Sequence, residues 1–541
     1  MRAGNPGGAA LKLLYPYDGT VFPRGMGAPL VMWDGPAADA VYLHIKARSF
    51  EYSGCLKPSA AGNVEIPHDV WVQAGKQTNG KGDDFQLELS TLGNGVVAGP
   101  LSSHFVIAQA TIKGSIYYNS YTSAQGGLLG GTVLRIPAGG GNASAFISTG
   151  CNGCHSVSAD GSRLVSQFAR LGGQSFALTV GGTANPPSVE AGPRGNYAAL
   201  YPDGSKYLAT SVAVDVARTF MSQGLGAPTD ATLYDAATGS VVPNVGVPPG
   251  ALMPMFSPDG TRLVFNDFAS AAAHGLVIMH YDVSTDTASD YKVLFQDEGE
   301  MRPAWPFVLP DNGAVLFART DSADFSGNGA GLAGLPPVAA PFSELALVDV
   351  GSGTMTMLAR AMGYATPEDA NSGRTYLPFG AEELHHSYFP TLSPVAAGGY
   401  YWAFFDSVRH YGNLGMQRQL WGAAIEIQAD GSYRLDPSQP AFYVPGQEFG
   451  TGNHRAFAAL DPCKRDGDTC NSGIDCCGGF CYFDKPPEEL VEPVGSCSPR
   501  MNECARLDER CVTDADCCPA KGAEAPRTCI AGFCAELPVL Q

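Results

Sequence analysis

Two cysteines and a histidine at fixed spacing, Cys151-Asn152-Gly153-Cys154-His155, are the residues of this chain best suited to chemistry. Two thiols separated by two residues can add to the two vinyl groups of one haem, and the adjoining imidazole then lies below the iron as its proximal ligand. The pattern therefore predicts one covalent haem c held by Cys151 and Cys154, with His155 as the proximal iron ligand.

Other uses of the two thiols stay open. A C-x-x-C pair also serves as a thiol/disulfide redox pair, a loop disulfide or half of a zinc site. A redox pair needs a strand-to-helix context, whereas the residues after His155 alternate and turn like a hairpin. A zinc site needs a second Cys or His pair, and none lies nearby in the sequence. Haem is favoured, a Cys151–Cys154 disulfide is its alternative, and no cytochrome c fold is implied because no helix follows the motif.

The elements that position this motif are repeated. A turn motif lies between two short apolar strands each time it occurs, with Pro presetting the turn, Asp accepting backbone hydrogen bonds and Gly taking a positive φ. The copies are Ser158-Ala159-Asp160-Gly161, Tyr201-Pro202-Asp203-Gly204, Ser257-Pro258-Asp259-Gly260 and Leu309-Pro310-Asp311-Asn312-Gly313, with a degenerate fifth at Pro390-Thr391-Leu392-Ser393-Pro394.

These repeats resemble the blades of TolB-like and WD40-like β-propellers over residues 113–460. The resemblance implies four-stranded blades, since the copies recur about every fifty residues. Five units are visible, and Ser115 to Tyr118, Thr132 to Ile136 and Arg455 to Leu460 are expected to form a sixth that both ends of the ring close. We expect six blades, and seven stay open.

Alignment of the repeats places His155 on the innermost strand of a blade, at the position of Pro254 and near one mouth of the central channel. Trp305, Tyr388 and Phe389 should then approach the porphyrin edge. Equivalent positions in other blades offer a second axial ligand, and a Met would raise the reduction potential whereas a His would lower it. The candidates are Met253, Met255, Met301, His385, His386 and His454.

Residues 1–112 are expected to form a β-sandwich. The alternation of Val41 to Ile45 and of Phe85 to Leu89 is typical of half-buried strands, and about seven short strands fit within about a hundred residues. The layout resembles fibronectin type III-like or immunoglobulin-like modules, which serve as spacers or docking surfaces. His44, His68 and His104 are expected to be surface residues or half-buried strand residues, and not ligands.

The last twelve cysteines form two units, residues 461–500 and 501–541, that both begin C-x6-C-x5-C-C. Each unit resembles an inhibitor-cystine-knot or Dickkopf-like module, and the resemblance implies pairing one–four, two–five and three–six. Spacing alone leaves fifteen pairings per unit. A protease-resistant tail or an attachment module is the expected role. The cysteines are Cys463, Cys470, Cys476, Cys477, Cys481 and Cys497 in the first unit and Cys504, Cys511, Cys517, Cys518, Cys529 and Cys534 in the second.

Composition limits the fold and the partners. Glycine and proline together make up a fifth of the chain, which favours an all-β fold with many turns. The formal net charge of −19 disfavours nucleic acid and anionic membrane surfaces. Disulfide-rich modules and covalent haem both indicate an extracytoplasmic protein of the periplasm, the cell surface or the medium. No signal peptide is visible at Met1 to Ala10, and no run of eighteen apolar residues could span a membrane.

No catalytic residue is predicted, because the sequence has no nucleophile elbow, phosphate loop, HExxH or EF-hand spacing. The only enzymatic option left open is a haem-dependent oxidoreductase. The predicted function is electron transfer by an exported monohaem cytochrome on a propeller, with an unidentified redox or surface protein as partner. The alternative is a haem-free binding or adhesion propeller of the cell surface.

Overall fold

The computed structural model describes residues 11–120, 122–126, 131–137, 139–148, 152–168, 172–179, 184, 186, 188–190, 196–212, 228–270, 274–321, 342–483, 494–499, 504–519, 527–530 and 533–536. The fold is nearly all β, as the composition predicts, with two α-helices in these residues. None of the helices in the described part is long and apolar enough to cross a membrane.

The N-terminal region is a two-layer sandwich. Strands β1, β3 and β6 form one sheet, and the other has the order β2-β8-β7-β4-β5, with β2 parallel to β8. In β4, Val41, Leu43 and Ile45 are buried and the intervening side chains face outward, because successive residues of a strand point to opposite faces. The strands are β1 (Lys12–Tyr15), β2 (Thr20–Arg24), β3 (Leu30–Asp34), β4 (Ala40–Lys46), β5 (Glu51–Leu56), β6 (Asn63–Glu65), β7 (Phe85–Gly93) and β8 (Val96–Thr111).

One helix, α1 (His68–Gln77), lies between β6 and β7 where the sequence analysis expected only strands. Trp71, Ala74 and Gly75 are three and four residues apart, so they share the face that packs on the sandwich. Asp69 in the first turn and Lys76 in the last complement the helix dipole. His68 begins this helix and is exposed at the surface.

Six four-stranded antiparallel sheets follow and form the propeller, as predicted. The strands, in chain order, are β9 (Ser115–Ser120), β10 (Thr132–Ile136), β11 (Ser144–Ile147), β12 (Asn152–Val157), β13 (Arg163–Phe168), β14 (Gly172–Ala177), β15 (Ser188–Glu190), β16 (Asn196–Leu200), β17 (Lys206–Val212), β18 (Pro228–Asp235), β19 (Val241–Val242), β20 (Ala251–Phe256), β21 (Arg262–Asp267), β22 (Gly275–Asp282), β23 (Thr287–Gln296), β24 (Met301–Val308), β25 (Ala314–Asp321), β26 (Ser343–Asp349), β27 (Met355–Met357), β28 (Ser387–Leu392), β29 (Tyr400–Ser407), β30 (Gln419–Glu426), β31 (Phe442–Tyr443) and β32 (Asn453–Ala459).

The ring is closed by strands from both of its ends. Strand β32 pairs antiparallel with β9, so the sixth sheet has the order β11-β10-β9-β32. The C-terminal strand is therefore innermost in a blade whose other three strands begin the ring. This closure confirms the predicted sixth blade.

The turn motifs work as their residue types predict. Ser257 donates its hydroxyl to Asp259, the same carboxylate accepts the backbone N–H of Thr261, and Gly260 has a φ of 76°. In the fourth copy, Asn312 and not Gly313 takes the positive φ, at 59°. Asparagine tolerates the left-handed region better than most residues, which explains the exchange.

The sandwich packs through aromatic side chains on the blade formed by β28 to β31, which we call the fifth blade. The hydroxyl of Tyr15 accepts the backbone N–H of Tyr443 at 2.9 Å, and Tyr17 stacks on Trp421. A short helix, α2 (Ala359–Met362), and the 3-10 turns Pro367–Asn371 and Ala381–Glu383 lie between β27 and β28, and the 3-10 turn Gly412–Leu414 lies between β29 and β30. Sandwich and propeller thereby share one hydrophobic core.

Two small disulfide-bonded units end the chain. Their six disulfides follow the order one–four, two–five and three–six in both units, as the cystine-knot resemblance implies. The pairs are Cys463–Cys477, Cys470–Cys481, Cys476–Cys497, Cys504–Cys518, Cys511–Cys529 and Cys517–Cys534. The strands are β33 (Thr469–Cys470), β34 (Phe480–Tyr482), β35 (Gly495–Ser498), β36 (Arg527–Ile530) and β37 (Phe533–Glu536), with 3-10 turns at Gly473–Asp475 and Asp514–Asp516.

The two units contact each other and the propeller. Glu509 of the second unit is buried and accepts the backbone N–H of Cys481 in the first. Lys113, before β9, forms an ion pair with Asp508 at 2.9 Å. Such small units bury little apolar surface, so their crosslinks supply most of their stability. Cys55, the one free cysteine whose side chain the structure describes, is exposed on the edge strand β5.

Candidate functional site

Each of the six innermost strands contains a bulge at the same distance before its turn. The pairing register shifts between Leu252 and Met255 in β20 and between Ala304 and Phe307 in β24, and the other inner strands do the same. The first bulge residue has a positive φ in five blades, although none is glycine. These residues are Tyr197, Met253, Trp305, Phe389 and Arg455. A non-glycine residue in this region costs free energy, which the surrounding packing must offset.

The bulge directs large side chains into the central channel. Tyr197, Met253, Trp305 and Phe389 belong to one buried cluster with Tyr388, and the ring of Trp305 lies 4.9 Å from Phe389. We call this group, with Leu252 and Ala304, the channel cluster. It contains Trp305, Tyr388 and Phe389, the three aromatic residues that the alignment singles out.

In the blade formed by β12 to β15, the cysteine–histidine motif itself forms the bulge. The register shift in β12 lies between Gly153 and Ser156, so Cys154 and His155 are its two residues. Cys154 thus has the backbone position of Trp305, and His155 has that of Pro254, as the alignment predicts. Cys151 and the side chain of Cys154 lie outside the described residues.

His155 has no exposed surface, and its Nδ1 is hydrogen-bonded. Its Nδ1 contacts Oδ1 of Asn119 on β9, and its ring lies 5.2 Å from that of Phe457 on β32. Because a carboxamide oxygen can only accept, Nδ1 carries the proton and Nε2 has the lone pair. Burial, and then the nearby charge of Arg455, lower the pKa of His155 to about 3, so the imidazole is neutral.

The described residues fit an axial nitrogen ligand. Nε2 of His155 is buried and has no hydrogen-bond partner among the described residues. Iron-ligating histidines commonly bind the metal through one nitrogen while the other donates to a polar group, which fixes the tautomer. Asn119 supplies that acceptor. Because the whole ring is enclosed, Nε2 included, a haem could bind there only if the neighbouring side chains moved.

The candidates for the second axial ligand separate into two groups. Met253 belongs to the channel cluster, and the ring of His454 lies 6.1 Å from that of Phe389 in the same cluster. Burial holds the pKa of His454 well below its usual value, which leaves its imidazole neutral and able to ligate. Both candidates lie at the channel cluster, and His386 is hydrogen-bonded to Tyr388 of the same cluster.

The other four candidates lie elsewhere or have strong partners. Met255 is part of the main hydrophobic core, and Met301 is half-buried at the start of β24. His385 binds the carboxylate of Glu344 at 2.8 Å and stacks on a phenylalanine ring. His386 lies 3.1 Å from the hydroxyl of Tyr388.

A buried charge cluster beside the channel was not predicted from the sequence. Asp406 binds Arg418 at 2.8 Å, and Arg418 lies over the ring of Tyr388. Burial raises the pKa of Asp406 to about 7 in spite of this ion pair. Arg455, the bulge residue of β32, lies 4.2 Å above the ring of Trp305. These residues belong to no motif, and only the ring places them together.

Comparison with known proteins gives similarity at the level of the fold. No protein-family model matches the chain, and no curated protein matches its sequence. Among solved structures, TolB from Acinetobacter baumannii is 12% identical with a TM-score of 0.36, covering 69% of this chain and 82% of its own. A putative TolB from Agrobacterium tumefaciens is 14% identical with a TM-score of 0.31, covering 64% and 99%. An oligogalacturonate lyase in complex with manganese is 10% identical with a TM-score of 0.30, covering 56% and 84%.

Proposed function

We propose that the chain is an extracytoplasmic monohaem c-type cytochrome built on a β-propeller, which exchanges single electrons with a protein partner. Cys151 and Cys154 carry the haem, and His155 is its proximal ligand. The observation that supports this most is Nε2 of His155, a buried nitrogen with a free lone pair and no hydrogen-bond partner in the described part of the chain.

The chain's own residues define what this site does. Asn119 fixes the Nδ1–H tautomer and the ring orientation of His155. Phe457 packs against the imidazole and excludes water. Arg455 places a positive charge close enough to depress the pKa of His155, and such a charge favours the reduced state of a neighbouring redox group. A bound haem supplies one-electron chemistry, and Met253 or His454 is the proposed second ligand.

The proposed location outside the cytoplasm rests on two features. Six disulfides lie in the described residues, and disulfides persist in oxidising compartments. Covalent haem attachment takes place in the same kind of compartment. The periplasm, the cell surface and the medium all satisfy both features.

Intact-mass spectrometry of protein exported from a haem-maturing host tests the proposal. The expected mass is that of the chain plus one iron porphyrin, with absorbance bands of covalent haem that survive denaturation. The Cys151→Ala/Cys154→Ala variant should lose both signals. Cys55→Ala is the matched control and should keep them, because Cys55 lies on the edge strand β5 of the sandwich. A wild-type mass without haem, and two hydrogens below that of the chain with Cys151 and Cys154 reduced, contradicts the proposal.

A second candidate is a haem-free binding propeller in which Cys151 and Cys154 form a disulfide. The observation that favours it is the zero exposure of His155, whose ring is enclosed by Asn119 and Phe457. The sandwich and the disulfide-bonded units would then serve adhesion at a cell surface. The same mass measurement decides between the two candidates, since a disulfide removes two hydrogens and adds no iron.

A further inference from the structure

A cleft of about 580 Å³ lies between the sandwich and the fifth blade, away from the cysteine–histidine motif. Residues 33–38 and 58–62 form its sandwich wall, and Phe379, His410 and residues 412, 413 and 415 form its propeller wall. Its volume is in the range of small-molecule sites, which often lie at domain junctions.

The two walls of the cleft are fixed to each other. The side-chain amide of Asn413 donates to the carbonyl of Gly62 at 2.8 Å and accepts from Asn63 at 3.3 Å. Gly412 packs so closely on Met32 that a Cβ there would lie 2.4 Å from the sulfur. The cleft is therefore preformed, which lowers the ordering cost of binding a ligand.

His410 is oriented by a buried carboxylate behind it. One oxygen of Glu383 accepts both the backbone N–H of His410, at 2.8 Å, and its Nδ1–H. The side chain of Glu383 is only 1% exposed, and its other oxygen has no hydrogen-bond partner among the described residues. With Nδ1 held in this way, Nε2 is the nitrogen of His410 that a ligand in the cleft can reach.

Phe379 adds a flat apolar surface to this wall. Its ring stacks on that of His410 with the centroids 4.2 Å apart and is 36% exposed. The opposite wall contributes small apolar residues such as Pro36 and Ala37, together with the exposed carboxylate of Asp34. A ligand thus meets apolar faces, one imidazole edge and one carboxylate.

We propose that this cleft binds an uncharged saccharide. Asp34 is the one carboxylate among the described residues that line the cleft, and no Lys or Arg lines it. Lys12 lies opposite Asp34 on the neighbouring strand and donates to the carbonyl of Pro378 beside Phe379, so it offsets that carboxylate and the cleft has no net charge to hold an ion. A hydroxyl can donate to Asp34 and can pair with Nε2 of His410 in either protonation state, which an ammonium cannot do. The C–H face of a sugar ring packs on Phe379. This site does not depend on haem, so either function proposed above is compatible with it.

Saturation-transfer NMR and calorimetry with maltotriose and cellotriose test the proposal on the full chain. Wild type should bind at least one trisaccharide, and Phe379→Ala should bind it about tenfold more weakly because it loses the apolar platform. His410→Asn retains a donor for Glu383 but lacks Nε2, and a loss of about three- to tenfold is expected. Phe449→Ala, an exposed phenylalanine outside the lining, is the control and should bind like wild type.

Thermal unfolding of each variant shows whether a loss of binding reflects a loss of structure. If Phe379→Ala is unstable, the test depends on His410→Asn, provided that this variant unfolds at the same temperature as wild type. The proposal is overturned if neither trisaccharide binds wild type at up to about 10 mM. It is also overturned if Phe379→Ala and His410→Asn, both folded, bind as wild type does, or if sulfated maltotriose or putrescine binds the cleft and the neutral sugars do not.

Discussion

The channel and the cleft each hold an imidazole on a buried partner, but the partners differ in charge. His155 in the channel wall has a neutral carboxamide partner and no exposed surface. His410 in the cleft has a carboxylate partner and a side chain that is 30% exposed. The channel therefore favours a permanently neutral imidazole, as metal ligation needs, whereas the cleft presents an oriented imidazole to exchangeable ligands. The partner decides which chemistry the same side chain can perform.

The largest fall in the free energy of unfolding is expected when the buried charge cluster beside the channel is broken. In Asp406→Ala, Arg418 stays buried without the carboxylate that now lies 2.8 Å away. Removing one member of a buried ion pair costs about 3–5 kcal/mol, so the free energy of unfolding should fall by that amount in denaturant titrations. Glu368→Ala, at an exposed site, should change it by less than about 0.5 kcal/mol. Equal effects of the two would mean that the channel is hydrated.

Lowering the pH should destabilise the folded chain, because His155 stays neutral in it. In the haem-free Cys151→Ala/Cys154→Ala variant, folded His155 resists protonation down to a pKa of about 3, whereas the unfolded imidazole takes up a proton near pH 6.5. The unfolded state thus binds more protons within this window, and stability falls as pH is lowered through it. The contribution of His155 at pH 5 is a loss of about 2 kcal/mol relative to pH 7.5.

Adding His155→Leu to that variant should remove this part of the pH dependence. Denaturant titrations at pH 5 and pH 7.5 measure the difference, with and without the leucine. Identical pH profiles would show that His155 is protonated or hydrated in the folded chain, and the proposed ligand role would lose its physical basis.

The smallest change in the free energy of unfolding is expected for a substitution at the cleft. Glu383→Gln retains an acceptor oxygen for His410 but removes the charge, so the free energy of unfolding should fall by about 1 kcal/mol, the difference between charged and neutral hydrogen bonds. Glu382→Gln, its exposed neighbour, is the matched control and should leave stability unchanged. If both variants unfold like wild type, the carboxylate does not hold the imidazole, and the contrast between channel and cleft disappears.

The fold was largely predictable because its signals are local. Each turn motif contains its own hydrogen bonds, as Ser257 and Asp259 show, and such turns specify the hairpins of the blades. Helix α1 was missed although its signals are present: Asp69 and Lys76 at its ends and an apolar stripe through Trp71. Its ten residues lie among strands, and the sequence analysis assigned no helix there.

The sites were predictable in part. The motif identifies His155, and the repeat alignment gives its place on the inner strand. Neither identifies Asn119, which lies on another blade and became its partner only when β32 closed the ring against β9. His410, Glu383 and Phe379 follow no motif. Phe379 lines the cleft from the loop before β28.

The sequence by itself determined the blades, the disulfide-bonded units and the residue types able to hold a haem, because turns, alternation and cysteine spacing act between near neighbours. Only the tertiary structure decided that Met253 and His454 reach the channel while Met255 packs in the core. It also decided which imidazole is enclosed and which opens on a cleft. Burial and charge pairing arise between residues that are distant in the chain, and they exist only once the ring is closed and the sandwich is docked on it.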